Sequence, residues 1–334
     1  KIGYFEWCDD FSAARNESLK LATGDWIMWL DADDRLPVEC HDKIRNLIAG
    51  TKEKAYLFVL DSQGCETVAC LQMRLFPNVP GVEFEKPVHE QLFPSVARLG
   101  IEVEPTDVVV VHTGYTTTEV VRDKMERYLR IMERWLENHP GDYVVRSNVA
   151  MTYFVWKELN TAIGHYEKIL HESDCKKDGN LVIETTAWLY LGRCYMRKGD
   201  FDQGLAFLLE ALKLDDQYAV TNVTLGECYL KMDRLQDSLQ ALDQAQKFED
   251  QLTFAANDPI ALKYWIRFFK AQNLESLGQL DEALSWYQQA NEVDPTRSDA
   301  LGAISTLHRK AGRIAEAVKA LEGALEIDPD DPRH

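Results

Sequence analysis

The chain has 334 residues, and its 37 Lys and Arg against 55 Asp and Glu give a formal net charge of −18. Apolar residues make up 46% and charged residues 28%, which is typical of a globular protein of two or three domains. A chain this acidic binds phosphate backbones poorly, which argues against nucleic acid as a partner. No apolar run approaches the ~20 residues of a spanning helix, so no membrane span is predicted.

The seven cysteines are scattered and include no C-x-x-C pair. An odd number without a framework indicates a reduced protein with no disulfides and no cysteine-based zinc site, so we predict a cytoplasmic location. The sequence opens on Lys1, and its last residues stop where another helix could begin. We therefore expect the chain to be a fragment of a longer protein.

The first third of the chain alternates between strand and helix patterns. Lys1–Trp7 predicts a strand, and the apolar spacing of Asp10–Ala22 predicts a helix. Trp26–Leu30 is short and wholly apolar, which favours a buried strand of a parallel sheet. Pro37 suits the first turn of a second helix that continues to about Ala49. Three later runs also predict strands: 55–60, 69–76 and 107–111. This order predicts an α/β sheet with a mixed part.

The composition changes near residue 117, and from there the pattern is helical with a period of 34. Gly192 and Gly226 are 34 residues apart, as are four other pairs of Gly, Ala or Pro. The segment W-L-Y-L-G-R-C-Y at 188–195 fits the W-x2-L-G-x2-Y pattern of a 34-residue helix-turn-helix repeat. Residues 117–334 thus resemble tetratricopeptide repeats, which implies an all-α solenoid of about five helix pairs. The expected pairs are 143–170, 185–216, 219–250, 264–295 and 298–329, after a half-unit at 122–138.

An acidic cluster directly follows the apolar run that ends at Leu30. Asp31, Asp33 and Asp34 would lie at the carboxyl end of a strand, where open α/β sheets bind their ligands. Carboxylates placed there can hold a divalent cation that in turn binds a diphosphate. The pattern D-x-D by itself is more often a solvated acidic turn, so the surrounding residues decide between the two interpretations.

The surrounding stretch, W-C-D-D-F-S-A-A-R-N to L-D-A-D-D-R-L, resembles family 2 glycosyltransferases with the GT-A fold. It is most similar to the bacterial branch that carries tetratricopeptide repeats behind the catalytic domain. The resemblance implies that residues 1–116 are the C-terminal part of a Rossmann-like GT-A domain. It also implies a metal-dependent, inverting hexosyltransferase that uses a nucleotide sugar, expected to be a uridine diphosphate sugar, with Mg²⁺ or Mn²⁺.

The resemblance also implies roles for single residues. Asp31 and Asp33 match the D-x-D pair that contacts the donor ribose and the metal-bound diphosphate. Arg15 and Asn16 match the A-R-N element along the donor site; the alternative for them is a helix-surface ion pair and a polar cap. Family members start with two strands and a D-x-G-S-T-D-like turn that holds the base. Neither these strands nor this turn is in the sequence. We therefore expect the chain as given to lack the base pocket and to be inactive by itself.

Two downstream segments would complete the site. The segment K-P-V-H-E-Q-L places Glu90 where this branch carries the catalytic base, although a surface glutamate is the alternative. His112 follows the strand V-V-V-V and is the implied third metal ligand, unless it is simply a polar strand terminus. Arg74 in M-R-L-F-P could neutralise phosphate or pair with a carboxylate, and it is left out of the core set.

The repeats suggest a second binding surface. Their inner helices are expected to line a concave groove that takes an extended peptide, with these residues facing it: Arg193, Arg197, Lys231, Trp265 and Phe268. The three basic residues would attract an acidic segment, unless they belong to solvated helix faces. The rival function is therefore a non-catalytic interaction scaffold whose α/β part is a remnant. The last helix, Ile314–Ile327, is expected to expose an apolar strip that a second copy covers in a homodimer.

Overall fold

The computed structural model of the protein describes residues 2–50, 53–64, 68–115, 118–171, 181–251 and 258–329. The chain forms two compact units: the first comprises the described residues up to His165 together with Asp258, and the second comprises the described residues 166–251 and 259–329. A mixed sheet with helices comes first, and a long run of helices follows. The predicted fold class is therefore confirmed.

The first unit is built on a mixed sheet. Its described strands are β1 Trp26–Met28, β2 Asp34–Arg35, β3 Lys54–Gly64, β4 Val68–Pro77 and β5 Glu102–Tyr115. They lie in the order β1-β4-β3-β5-β2. The pair β3–β5 is parallel, and the other three pairs are antiparallel. Parallel and antiparallel pairs thus occur in one sheet, as predicted.

Two strand predictions differ from the structure. Trp26–Leu30 was expected to be a buried strand of a parallel sheet, but β1 pairs antiparallel with β4 and Met28 is 37% exposed. Residues 2–7, expected as a strand, form neither helix nor strand. An apolar run indicates that a segment is buried. It does not specify which strand the segment pairs with, or whether the pair is parallel or antiparallel.

Three helices accompany the sheet: α1 Phe11–Leu19, α2 Cys40–Ile48 and α3 Phe93–Arg98. The Asp10 carboxylate caps α1 by accepting from the backbone N–H of Ala13 at 3.0 Å. Alternate residues of β3 point to opposite faces of the sheet. Phe58 therefore packs with α2, whereas its neighbour Leu57 packs with Val96 of α3. The sheet is thus covered on both faces.

Two further helices belong to the first unit: α4 Thr118–Asn138 and α5 Tyr143–Val155. Their apolar side chains form a cluster with Val88, which lies in the loop before α3. Asp142 caps α5 and also accepts from Lys86 Nζ at 2.7 Å. The loop that carries Glu90 is therefore anchored to helices that lie beyond the composition change near residue 117.

The remaining described helices form the repeats: α6 Leu159–His171, α7 Leu181–Arg197, α8 Phe201–Leu214, α9 Ala219–Lys231, α10 Leu235–Lys247, α11 Pro259–Ser276, α12 Leu280–Val293, α13 Ser298–Lys310 and α14 Ile314–Ile327. Helices α7 to α14 pack in consecutive pairs, as the 34-residue period predicts. No helix in the described ranges is long and apolar enough to cross a lipid bilayer.

Close packing within a pair explains the repeated glycine. A Cβ on Gly192 of α7 would lie 2.6 Å from Cγ of Leu208, and one on Gly226 of α9 would lie 2.6 Å from Cγ of Leu242. Both contacts are shorter than any side chain tolerates without movement. The helices of these two pairs approach this closely only because the position carries no side chain.

Candidate functional site

A buried carboxylate, Asp34, lies at the centre of the acidic cluster. Strand β2 pairs with β5 and sets Asp34 opposite His112. The Asp34 carboxylate accepts from Arg74 Nη1 at 2.7 Å and from the backbone N–H of Asp31 at 2.8 Å, and it lies 2.8 Å from His112 Nδ1. The side chains of Asp34 and Arg74 are 0% and 1% exposed. The hydrogen bonds to the Asp34 carboxylate offset part of the cost of burying this ion pair.

The hydrogen bonds around Asp34 decide its charge. Burial by itself would raise the pKa of Asp34, because it removes water from the carboxylate. The bonds from the Asp31 N–H and His112, together with the charge of Arg74, outweigh burial and leave the pKa of Asp34 below its usual value. Burial lowers the pKa of Arg74, but a guanidinium stays charged at any ordinary pH. The pair is therefore ionised at neutral pH.

Three potential metal ligands meet at this point. One ligand atom from each of Asp33, Asp34 and His112 lies within 4.8 Å of the others. The sequence predicted a metal site formed by Asp31, Asp33 and His112. In the structure, Asp34 takes the place in this set that was expected for Asp31. A tight turn is the reason: the N–H of Asp34 bonds to the carbonyl of Asp31 at 3.0 Å, and the reversed chain brings Asp34 to β5. Asp33 is the accessible carboxylate, with a side chain that is 44% exposed.

Asp31 belongs instead to a chain of ion pairs that reaches Glu90. Arg15 of α1 bonds to Asp31, with Nη1 3.1 Å from Oδ1, and to Glu90 through Nε. Burial by itself would lower the pKa of the Arg15 guanidinium. The charges of Glu90 and Asp31 raise this pKa by more than burial lowers it, so it lies above its usual value. Arg15 thereby joins Glu90, whose side chain is 12% exposed, to the acidic cluster.

The indole of Trp29 lies against both arginines. Cζ of Arg15 is 4.1 Å from the ring centroid, and Cζ of Arg74 is 3.7 Å from it. The indole N–H donates to the carbonyl of Met73 at 2.8 Å, which fixes the ring. Guanidinium groups stack favourably on aromatic faces. Trp29 therefore positions the two arginines that hold the carboxylates of the site.

The amide of Asn16 faces the protein. It donates to the carbonyl of Phe84 at 2.9 Å and accepts from the N–H of Phe84 at 2.8 Å. Both polar ends of the side chain are used, so Asn16 fastens α1 to the segment ahead of Glu90. These hydrogen bonds favour a supporting role over the donor contact that the resemblance implies.

Trp29 is a member of the site that the sequence analysis did not name, and Arg74 is one that it named but left out of the core set. A usable signal for Arg74 was its place in the apolar strand V-A-C-L-Q-M-R-L-F-P, since an arginine is rarely buried unless it is paired. Trp29 gave no such signal, because an aromatic residue in a strand is ordinary core.

The predicted groove residues fall into two groups. The three basic ones lie at or near the surface: Arg193, Arg197 and Lys231. Phe268 is only 7% exposed and belongs to the hydrophobic core of the repeats, so its expected place in an open groove is corrected. Trp265 packs at the edge of the same cluster, with Cζ of Arg297 5.3 Å from its ring centroid. Burying an aromatic ring stabilises the fold more than leaving the ring exposed to water does.

Comparisons with known families match both parts of the chain. Residues 4–98 match the family model described as Glycosyl transferase family 2. Residues 274–334 match Tetratricopeptide repeat, and residues 156–245 match Anaphase-promoting complex, cyclosome, subunit 3. The protein therefore carries a family 2 glycosyltransferase domain at its N-terminus, followed by tetratricopeptide repeats.

Two curated proteins are similar to stretches of the chain. A TPR repeat-containing protein of Synechococcus elongatus is 34% identical over 151 residues, which cover 42% of this chain and 37% of the relative. The SPbeta prophage-derived glycosyltransferase SunS of Bacillus subtilis is 27% identical over 164 residues, covering 48% of this chain and 37% of the relative. The matched region thus spans little more than a third of the length of either relative.

One solved structure supports the repeat fold. The crystal structure of the APC/C hetero-tetramer Cut9-Hcn1 aligns with a TM-score of 0.54 at 15% identity, over 64% of this chain and 39% of that chain. A likeness at this identity concerns the fold alone, which is an array of helix pairs.

Proposed function

We propose that the protein transfers a sugar from a uridine diphosphate sugar to a hydroxyl or side chain of a protein or glycan acceptor, with inversion at the anomeric carbon. The observation that carries the proposal is the linkage of Asp31 to Glu90 through Arg15, beside the cluster of Asp33 and His112. Most of these residues lie in the segment that matches family 2 glycosyltransferases. The repeats would bind the acceptor or another protein partner.

The charge balance of the site suits a divalent cation. Its carboxylates, on Asp31, Asp33, Asp34 and Glu90, outnumber its two guanidiniums by two. Asp33 and His112 would hold Mg²⁺ or Mn²⁺, while Asp34, whose Oδ1 lies 2.8 Å from Nδ1 of His112, would orient the imidazole. An imidazole beside a carboxylate favours Mn²⁺ over Mg²⁺. When bound, the cation would offset the charge of the departing nucleoside diphosphate.

Glu90 would act as the general base. Arg15 bonds to its Oε1, and no described residue bonds to Oε2. Oε2 would take the proton of the acceptor hydroxyl as the acceptor oxygen bonds to the anomeric carbon and the bond from that carbon to the diphosphate oxygen breaks. Attack from the face opposite the leaving group inverts the configuration. Asp31, fixed by Arg15, would accept a hydrogen bond from the donor ribose.

Turnover of the full-length protein tests the base. Glu90→Gln keeps the shape and an acceptor for Arg15 but cannot take a proton. We expect turnover to fall by roughly 10²–10⁴ while donor affinity, measured by calorimetry, stays nearly unchanged. Asp107→Asn is the matched control, because that carboxylate is 81% exposed and, among the described residues, is paired only with Lys43. Near-normal turnover of Glu90→Gln would eliminate Glu90 as the base.

Titration with Mn²⁺ and uridine diphosphate tests the donor site. The full-length protein should bind both, and Asp33→Ala should abolish Mn²⁺ binding because it removes the accessible carboxylate. Asp42→Ala, at an exposed carboxylate of α2, should leave binding intact. A full-length protein that binds neither ligand would overturn the transferase proposal and favour the scaffold function.

A further inference from the structure

The loop that carries the proposed general base is closed on itself and contains two unfavourable backbone conformations. Residues 85–91, which we call the base loop, begin and end at Glu85 and Gln91, whose backbone groups exchange two hydrogen bonds of 2.9 Å. Between them, Lys86 has a φ of 80° and His89 has a φ of 55°. Both lie in the left-handed region, which residues other than glycine rarely adopt. Such conformations persist only where the surrounding contacts hold them.

Helix α1 supplies the first set of contacts. The backbone N–H of Phe11 donates to the carbonyl of Pro87 at 2.9 Å, and the Ser12 hydroxyl donates to the carbonyl of Lys86. The first turn of α1 thereby binds the backbone of the base loop. One turn further along the same helix, Arg15 bonds to the carboxylate of the proposed base. A single helix therefore holds both the loop backbone and the side chain that the loop presents.

A second anchor comes from α4 and α5. Nζ of Lys86 lies 2.7 Å from Oδ2 of Asp142, and the two side chains are 22% and 7% exposed. The Asp142 carboxylate is itself fixed, because it accepts from the indole N–H of Trp135 at 2.9 Å and from the backbone N–H of Val145 at 3.2 Å. Val88 of the loop is 1% exposed and packs in the apolar cluster of these helices. The ion pair thus ties the strained Lys86 to a carboxylate that α4 and α5 hold in place.

We propose that the ion pair of Lys86 with Asp142 positions the general base: it holds the base loop in the conformation that presents Glu90 to the acceptor. Lys86 and Asp142 are positioning residues, and neither would touch the substrate. The inference rests on the proposed role of Glu90, and it adds that α4 and α5 are needed for the geometry of the site. The effect on rate is expected to be large, since a displacement of about 1 Å in a reacting group can lower the rate about a hundredfold.

A purely structural role for this ion pair predicts different behaviour. A partly buried ion pair can stabilise the first unit without setting the position of the base. Its loss would then speed hydrogen exchange throughout the sheet, and turnover would fall only as far as the folded fraction falls. Turnover would also fall by the same factor whether or not Glu90 is present. Turnover, hydrogen exchange and the dependence on Glu90 must therefore be measured on the same variants.

Hydrolysis of uridine diphosphate glucose by the full-length protein provides the test, with water as the acceptor and released uridine diphosphate as the signal. Lys86→Met removes the cation but keeps most of the side-chain volume. We expect kcat to fall by about tenfold or more while KM for the donor changes by less than about twofold, and we expect Lys86→Arg to restore most of the loss. Hydrogen exchange of the base loop should quicken by about tenfold or more in Lys86→Met, while exchange of β3 stays unchanged.

Two comparisons separate positioning from stability. In a Glu90→Gln background, Lys86→Met should lower kcat by less than about threefold, because no base is left to be displaced. Lys54→Met is the matched control: it breaks an ion pair of 2.7 Å between β3 and Glu104 of β5, and it should leave kcat within about twofold of the wild type. Near-normal turnover of Lys86→Met would overturn the inference, as would an undiminished loss in the Glu90→Gln background.

Failure of the proposed function would be recognised as a separate result. A wild type that releases no uridine diphosphate with either Mg²⁺ or Mn²⁺ would count against sugar transfer. Hydrogen exchange does not depend on turnover, so faster exchange confined to the base loop in Lys86→Met would still support its anchoring by Asp142. Unchanged exchange of the base loop would refute the inference whether or not sugar is transferred.

Discussion

Removing the charge of Arg74 should destabilise the first unit strongly. Arg74→Met keeps most of the apolar volume but leaves the buried Asp34 carboxylate with only the Asp31 N–H and His112 as partners. Breaking a buried ion pair by removing one partner costs about 3–5 kcal/mol. Lost stacking on Trp29 adds up to about 1 kcal/mol.

Protonation sets an upper limit on this penalty. An unpaired Asp34 can become neutral at a cost of about 1.4 kcal/mol for each pH unit above its ordinary pKa, or about 4 kcal/mol at pH 7. The two estimates agree. Because the protonation cost falls to about 1.5 kcal/mol at pH 5, the effect of Arg74→Met should shrink as the pH is lowered.

Hydrogen exchange of the β4 and β5 amides is the appropriate assay. The chain has two compact units, so denaturation of the whole chain does not yield a single two-state free energy. Amide exchange reports the free energy of local opening in the unit that contains Arg74. Arg98→Met is the matched control, since that side chain is 56% exposed and its ion pairs should contribute less than about 1 kcal/mol. A penalty for Arg74→Met no larger than that of the control would refute the reasoning.

Three further predictions concern other parts of the chain. Because the pKa of Asp34 lies below its ordinary value, its stabilisation is complete above the unfolded pKa near 4 and is lost as the pH falls through the folded value. The stability gap between wild type and Asp34→Asn, followed by hydrogen exchange, should therefore begin to narrow below about pH 4 and keep narrowing as the pH falls, and a gap that stays constant between about pH 4 and pH 2 would contradict this. Gly226→Ala should destabilise by about 1–3 kcal/mol because its Cβ would overlap a leucine, whereas Gly164→Ala, with nothing within 4 Å, should stabilise by up to about 1 kcal/mol. Hydrogen exchange of the amides of α9 and of α6 should show these opposite changes, and changes of the same sign would be inconsistent. The exposed apolar side chains of α14 should bury against a second copy, so light scattering should give a dimer mass that Leu325→Glu reduces to a monomer, and a monomeric wild type would rule the dimer out.

The sequence by itself determined the local structure and the repeat architecture. The apolar spacing of residues 10–22 predicts the helix that the Asp10 carboxylate caps, and the 34-residue spacing of Gly192 and Gly226 marks the close packing in two helix pairs. These features depend on residues that are near in sequence or on a pattern that recurs at fixed spacing. Such signals are available without any knowledge of long-range contacts.

Only the tertiary structure decided which residues share the site. Asp31 and Asp34 are chemically identical and three residues apart, so the sequence had no basis for separating them. The pairing of β2 with β5 buries Asp34 against His112, 78 residues away, and leaves Asp31 to Arg15. The same holds for Arg74, whose partner Asp34 is 40 residues distant. The same apolar or acidic sequence pattern is compatible with several neighbouring strands. Only the folded sheet determines which strand pairs with it.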